Sequence, residues 1–144
     1  REPWPEDTPY WKFRDKGACQ TLSFHTTLDK IPKIVHSVYE FAAHAEYPKE
    51  SLGCYIQPLE RARACYTEFG LAYNPEHPDE VARVKALYQG LGEFLFNQGC
   101  LFTTPYGIQA DLVYSRASPY RATLKKLKEC FDPNEIMNPG KVCF

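Results

Sequence analysis

The chain has 144 residues and a net charge of −1; 44% of its residues are apolar and 24% charged. That is enough length for one hydrophobic core, and the composition is that of an ordinary soluble globular protein. The near-neutral charge removes an electrostatic case for nucleic-acid binding, and no apolar run approaches the roughly 20 residues needed to span a bilayer.

Residues 1–16 carry three prolines and many charges and read as an extended arm or linker, with Trp4, Tyr10, Trp11 and Phe13 too apolar for a free tail. Ala18 to Thr27 alternates as a strand, with Leu22 and Phe24 on one face. Ile31 to Glu46 has helical spacing at Ile34, Val35, Val38, Tyr39, Ala42 and Ala45, and Pro48 blocks its continuation. Leu52 to Pro58 is a second strand. Leu59 to Ala62 makes a connection to a third, Arg63 to Tyr73. Period-2 alternation puts Arg63, Cys65, Thr67 and Phe69 on one side of that strand and Tyr66, Glu68 and Gly70 on the other.

A second helix spans Asp79 to Gln98. Its stripe is Val81, Val84, Leu87, Tyr88, Leu91, Phe94 and Leu95, its start is acidic and Gly99 stops it. Gly90 and Gly92 weaken this helix intrinsically, and close packing against a strand is the expected reason for them. Cys100 to Thr104 is a fourth strand. The order β-α-β-β-α-β predicts an α+β, ferredoxin-like split βαβ unit: an antiparallel four-stranded sheet with both helices on one face. Residues 110–114 fit no single pattern. A third helix, capped by Ser118-Pro119, runs to Cys130 with Tyr120, Leu124 and Leu127 as its buried stripe. The expected division is an arm at 1–16, the ferredoxin-like unit at 17–109 and a helical C-terminal extension at 110–144.

Six cysteines stand at 19, 54, 65, 100, 130 and 143. Several lie in apolar periodic segments, none forms a CxxC, and none has zinc-ligand spacing with a histidine. They are expected to be reduced thiols of a cytoplasmic protein, in preference to the disulfides of a secreted one. His36 and His44 lie two turns apart on one helix but lack further ligands, so no metal is expected. The chain has no GxGxxG, Walker A, HExxH or GxSxG motif.

The most specific run is the last, Phe131-Asp-Pro-Asn-Glu-Ile-Met-Asn-Pro-Gly-Lys-Val-Cys-Phe144. Asp132 as N-cap, Pro133 at the first helical position and Glu135 three residues after the cap predict a capping box on a short helical turn. Asn138-Pro139-Gly140-Lys141 predicts a type II turn. The run resembles the C-terminal signature of FAD-linked oxidases and dehydrogenases of the vanillyl alcohol oxidase / p-cresol methylhydroxylase family, with glycolate oxidase-like relatives. The resemblance covers most of residues 18–144, is specific at the final motif and is diffuse elsewhere.

It implies the C-terminal cap, or substrate-side, domain of an enzyme that oxidises a small alcohol or hydroxy acid by hydride transfer to the flavin. FAD would be held by an N-terminal domain lying outside these residues, so the chain alone is expected to carry no FAD and to be inactive. By position, Asn138 and Lys141 fall in the motif that returns to the cofactor domain, and the resemblance implies that they bind the cofactor. Tyr106 falls where phenol-oxidising members carry a Tyr-Arg pair, but Gly107 replaces the Arg, so phenolate binding does not carry over. Arg63 to Glu68 falls on a strand that lines the substrate pocket in relatives. Tyr106 and Arg63 are therefore expected at the reacting centre, with Arg63 a permanent cation for an anionic substrate, and Tyr66 and Glu68 as substrate-binding neighbours. Cys19, Gln20 and Thr21 offer no histidine where some members attach flavin covalently, so the FAD is expected to be non-covalent. A second copy of the chain or an electron-acceptor protein are further partners compatible with the resemblance. The alternative is a stand-alone ferredoxin-like ligand-binding or dimerisation module without catalysis, since this fold hosts many functions.

Overall fold

The computed structural model describes residues 16–103 and 105–139. Among these it is an α+β protein with three strands and four α-helices: β1 (Ala18–Thr26), α1 (Ile31–His44), β2 (Leu52–Leu59), β3 (Ala64–Tyr73), α2 (Pro78–Asn97), α3 (Ile108–Arg116) and α4 (Ser118–Phe131). The chain divides into two compact units between Leu101 and Phe102.

In the first unit β3 is the central strand, in the order β1-β3-β2, and both pairings are antiparallel. The register sets Phe24 opposite Thr67 and Leu22 opposite Phe69 on one side, and Ile56 opposite Thr67 on the other. Paired residues share a sheet face. One face, carrying Leu22, Phe24, Cys65, Thr67, Phe69 and Leu71, is buried. Ile34, Val38 and Ala42 of α1 and Val84, Leu87, Leu91 and Leu95 of α2 are buried with it. Burying each of these larger apolar side chains stabilises the unit by about 1.5–3 kcal/mol.

The two helices lie side by side on that face. Phe41 of α1 and Phe94 of α2 have ring centroids 5.9 Å apart. This contact also explains Gly90: a Cβ there would stand 2.9 Å from Phe41 Cζ. The close approach is therefore to the neighbouring helix and not to a strand. Gly92 is buried, but a Cβ there would meet nothing within 4 Å, and packing gives no account of it. The Tyr39 hydroxyl donates to Leu52 O at 3.4 Å, tying α1 to β2, and the Tyr47 hydroxyl lies 2.8 Å from both Ser51 O and Ala72 O.

The expected fourth strand is reduced to one bridge. His25 and Leu101 exchange backbone hydrogen bonds of 2.8 and 2.9 Å on the free side of β1. Gly99, at φ +78°, ends α2, and Cys100 N still bonds back to Leu95 O, so the chain reaches β1 with little length left to pair. Pro105, a few residues on, has no N–H to extend a ladder. Between β2 and β3 the chain turns through Glu60, Arg61 and Ala62, three successive non-glycine residues at φ 48°, 58° and 65°.

In the second unit, residues 108–116, which include the stretch of ambiguous pattern, form α3. The stripe expected to be buried on α4 is instead open: α4 has no buried residue, and Tyr120 and Leu127 are about half exposed. Among the described residues no helix is long and apolar enough to cross a membrane.

Candidate functional site

The sheet face opposite the helices is the most chemically furnished surface of the first unit. Its residues follow from the register. His25, Tyr66 and Gln57 form one cross-strand row, Ser23, Glu68 and Tyr55 the next, and Thr21, Gly70 and Gly53 the third. Tyr66 is the hub. Its hydroxyl donates to Glu68 Oε2 at 2.7 Å. The His25 ring meets it edge-on at 5.8 Å and 69°, and the Tyr55 ring at 6.3 Å and 64°. The Tyr55 hydroxyl donates to Gln57 Oε1 at 3.2 Å.

Burial pushes the Tyr66 phenol up from its ordinary value, and the bond to Glu68 adds to the shift. At neutral pH Tyr66 is therefore an uncharged donor held against a carboxylate acceptor. Such a pair orients a hydroxyl-bearing ligand: the carboxylate accepts while the phenol fixes its position.

Tyr66 and Glu68 thus stand together on one face. Arg63 does not join them. It precedes β3, in helical conformation at the end of the left-handed turn, and is exposed. Tyr106 belongs to the second unit and is 60% exposed, just before Gly107 at φ +55°. Asn138 is exposed at φ 51°, and Lys141 lies outside the described residues, as do Gly140 and hence the second half of the expected type II turn. His25, Tyr55 and the Gly53–Gly70 pair were not singled out as site residues in the sequence. The signal was available in β3 and β1 alternation, but only the strand register aligns His25 with Tyr66 and Tyr55 with Glu68.

The second unit has its own organising residue. Asp132 is buried just beyond α4. Its Oδ1 accepts from Ile136 N at 2.9 Å and its Oδ2 from Met137 N at 2.8 Å; Lys128 Nζ, one helical turn back, also donates to Oδ2. Lys128 donates to Met137 O as well. The Lys128 contact, with the two backbone N–H bonds, holds the Asp132 carboxyl below the usual carboxylate range. The expected capping box does not form. No helical turn follows Asp132, because Glu135 takes φ 52°, and the carboxylate reaches past the cap positions to the fourth and fifth N–H groups. Asp132 acts as a clamp on an irregular turn.

That turn and α4 together leave apolar side chains uncovered. Tyr120, Leu124, Leu127 and Phe131 recur at helical spacing on one side of α4, and Phe131, Ile136 and Met137 are 83%, 75% and 63% exposed. Scattered exposed apolar residues are ordinary, but a run along one helix face and its following turn marks a surface made to be covered.

Among the described residues no group of three or more His, Cys, Asp or Glu is placed to hold a metal ion. Cys54, Cys65, Cys100 and Cys130 carry free thiols; Cys143 lies outside the described residues. Residues 109–142 match the family model described as FAD linked oxidases, C-terminal domain, a span that falls wholly within the second unit. No solved structure matches the chain.

Proposed function

We propose that this chain is the C-terminal, substrate-side part of an FAD-dependent oxidoreductase that oxidises a small alcohol or hydroxy acid. The observation that carries the reading is the coincidence of the family match with the uncovered apolar face of α4 and its turn. A C-terminal domain of an FAD-linked oxidase implies an FAD-binding domain as partner, and the Tyr120–Leu127–Phe131 face with Ile136 and Met137 is the surface offered to it. The Asp132 clamp holds this face in shape.

The described residues suit the ring end of FAD and not its phosphates. The sheet face opposite the helices offers aromatic rings and bare glycine backbone, to which a flat ring system can lie close. The start of α2, by contrast, is Pro78-Asp79-Glu80, acidic where a pyrophosphate needs an electropositive helix end. The phosphate grip is therefore assigned to the partner domain. When bound there, FAD supplies the acceptor for the hydrogen that leaves the substrate carbon with its bonding pair. On this chain, Tyr66 and Glu68 bind and orient the substrate hydroxyl, and Glu68 takes its proton as the C–O bond becomes a carbonyl. Tyr106 and Arg63 are each assigned a role at the reacting centre, and Asn138 and Lys141 a role in cofactor binding.

The flavoprotein comprising this chain and the FAD-binding domain provides the test. Anaerobic addition of a small alcohol should bleach the flavin absorbance. Replacing Leu127 and Phe131 together by Asp should release the second unit from the cofactor domain, read as increased proteolysis within 102–144. Tyr106→Phe and Arg63→Ala should each lower kcat/KM at least about tenfold, roughly 1.4 kcal/mol, at constant flavin content. A preparation that binds no flavin refutes the reading. Parental turnover in both single variants removes Tyr106 and Arg63 from the pocket.

A further inference from the structure

The two edges of the three-stranded sheet are finished differently. On β1 the outer edge is closed at His25, whose N–H and C=O both bond to Leu101. A residue in an antiparallel sheet turns both backbone groups to the same side, and successive pairs alternate between bonded and non-bonded. His25 therefore turns away from β3, and Tyr66, opposite it, turns towards Gln57 of β2. Gln57, Tyr55 and Gly53 are then the residues that bond β2 to β3, while Leu52, Cys54, Ile56 and Pro58 turn their backbone outward. Two further observations agree with this. Leu52 O accepts from the Tyr39 hydroxyl at 3.4 Å, on the side away from β3. Pro58, which has no N–H to give a ladder, is best tolerated in a strand where that position faces out.

Among the described residues nothing else bonds to this edge, so the outward N–H and C=O groups of Cys54 and Ile56 are unmet. The side chains are uncovered too. From Gly53 to Pro58 every residue of β2 is exposed, on both faces of the sheet, with Tyr55 at 49% and Ile56 at 37%. None of the eight residues from Leu52 to Leu59 is charged. Proteins guard a free edge with lysines, bulges or added cover, and an uncharged, apolar edge is a template for pairing. Its own copy fits it. A strand and its two-fold mate run antiparallel, with residue i facing j and j facing i. With the axis at Tyr55, Cys54 of one copy faces Ile56 of the other. Both are outward residues, so each such pair exchanges two backbone hydrogen bonds. Tyr55 faces Tyr55 in a non-hydrogen-bonded pair, where side chains approach most closely and two rings stabilise one another. No charge anywhere along the strand is brought against its own kind.

We infer that two copies of the chain associate through the outer edge of β2, about a two-fold axis at Tyr55, and join their three-stranded sheets into one continuous sheet of six strands. The inference goes beyond the oxidoreductase reading and does not depend on it. One strand pair is a small interface, below roughly 1,200 Å² in total, which belongs with weak and reversible association.

Sedimentation equilibrium of the full chain from about 1 to about 100 μM should show monomer and dimer in exchange, with a Kd on the order of 10 μM. Ile56→Pro removes an outward N–H without touching the ladder to β3 and should weaken the dimer at least about tenfold. Ile56→Lys leaves every backbone group in place, sets a charge on the edge and should weaken the dimer similarly, so a folding defect in the proline variant does not decide the matter. Ile56→Cys tests the register. It sets a thiol across from Cys54 of the second copy at a Cα separation of about 5.5 Å, within disulfide reach. Mild oxidation should then give a covalent dimer, mapped by mass spectrometry to positions 54 and 56. Iodoacetamide labelling of Cys54 should slow as protein concentration rises, while that of Cys130 stays constant. A chain that is monomeric at about 100 μM, a dimer that both Ile56→Pro and Ile56→Lys leave intact, or an Ile56→Cys chain that forms no such crosslink overturns the inference. So does a crosslink that forms in the chain and fails in the flavoprotein, because the cofactor domain would then take the edge.

Discussion

Replacing Thr67 by Val should stabilise the protein. Thr67 lies in the middle of the central strand, fully buried, with Phe24 and Ile56 as its cross-strand partners. Its Oγ1 has no hydrogen-bond partner among the described residues. A buried hydroxyl that forgoes its bonds to water without replacing them costs about 1–3 kcal/mol. Valine keeps the β-branched shape that suits a strand and exchanges the hydroxyl for a methyl group. The methyl adds a gain of about 0.8 kcal/mol where it packs, part of which slight overpacking offsets. The net expectation is stabilisation by about 1–2 kcal/mol, or a Tm higher by roughly 3–8 °C for a chain of this size. Urea denaturation followed by circular dichroism measures it, with the slope checked for constancy between variants. Thr67→Ser is the control: it keeps the orphan hydroxyl, deletes the buried methyl, and should destabilise by about 1 kcal/mol. If Val proves destabilising by more than about 0.5 kcal/mol, Oγ1 makes a bond and the reasoning fails.

Other expectations concern the thiols, the hairpin and pH. Cys54 and Cys130 are exposed, whereas Cys65 and Cys100 are buried and burial pushes the Cys100 thiol up to about 11. Iodoacetamide at pH 8 should label the first two in the native protein and the second two only after unfolding; fast labelling of Cys100 would contradict its placement. Ala62→Gly should raise stability by about 0.5–1 kcal/mol. It relieves a left-handed residue that costs roughly 1–2 kcal/mol, less the extra freedom glycine gives the unfolded chain. A lower Tm would mean that the turn is not left-handed at Ala62. The carboxyl of Asp132 is held below its unfolded value of about 3.9, chiefly by Lys128. Its stabilising contribution is therefore complete above that value and disappears as pH falls through the folded-state pKa. An acid titration of the second unit by NMR should show the Ile136 and Met137 amides shifting together below pH 4, and Asp132→Asn should abolish that transition.

What local sequence determined was the identity and extent of the elements. Strand alternation in Ala18–Thr26 and Ala64–Tyr73, helical spacing in α1 and α2, and the glycine stop at Gly99 depend on neighbours a few residues away, and the observed bounds follow them closely. The final motif likewise carried its resemblance to FAD-linked oxidases without reference to the fold, because it is a contiguous run of residue types, and the family-model match over residues 109–142 falls on it. Other features required the tertiary structure, since each depends on partners distant in the chain. Only the β1-β3-β2 register brings His25, Tyr66 and Tyr55 into one ring cluster and sets Gly53 beside Gly70. The reason for Gly90 lies on Phe41, 49 positions earlier in the chain. The capping box at Asp132 and the buried stripe of α4 failed for complementary reasons. Capping rules assume that a helix follows, and here Lys128 and two later N–H groups compete for the same carboxylate. An amphipathic stripe says that a face is to be covered but not by what, and on α4 the cover is not supplied by the described residues of this chain.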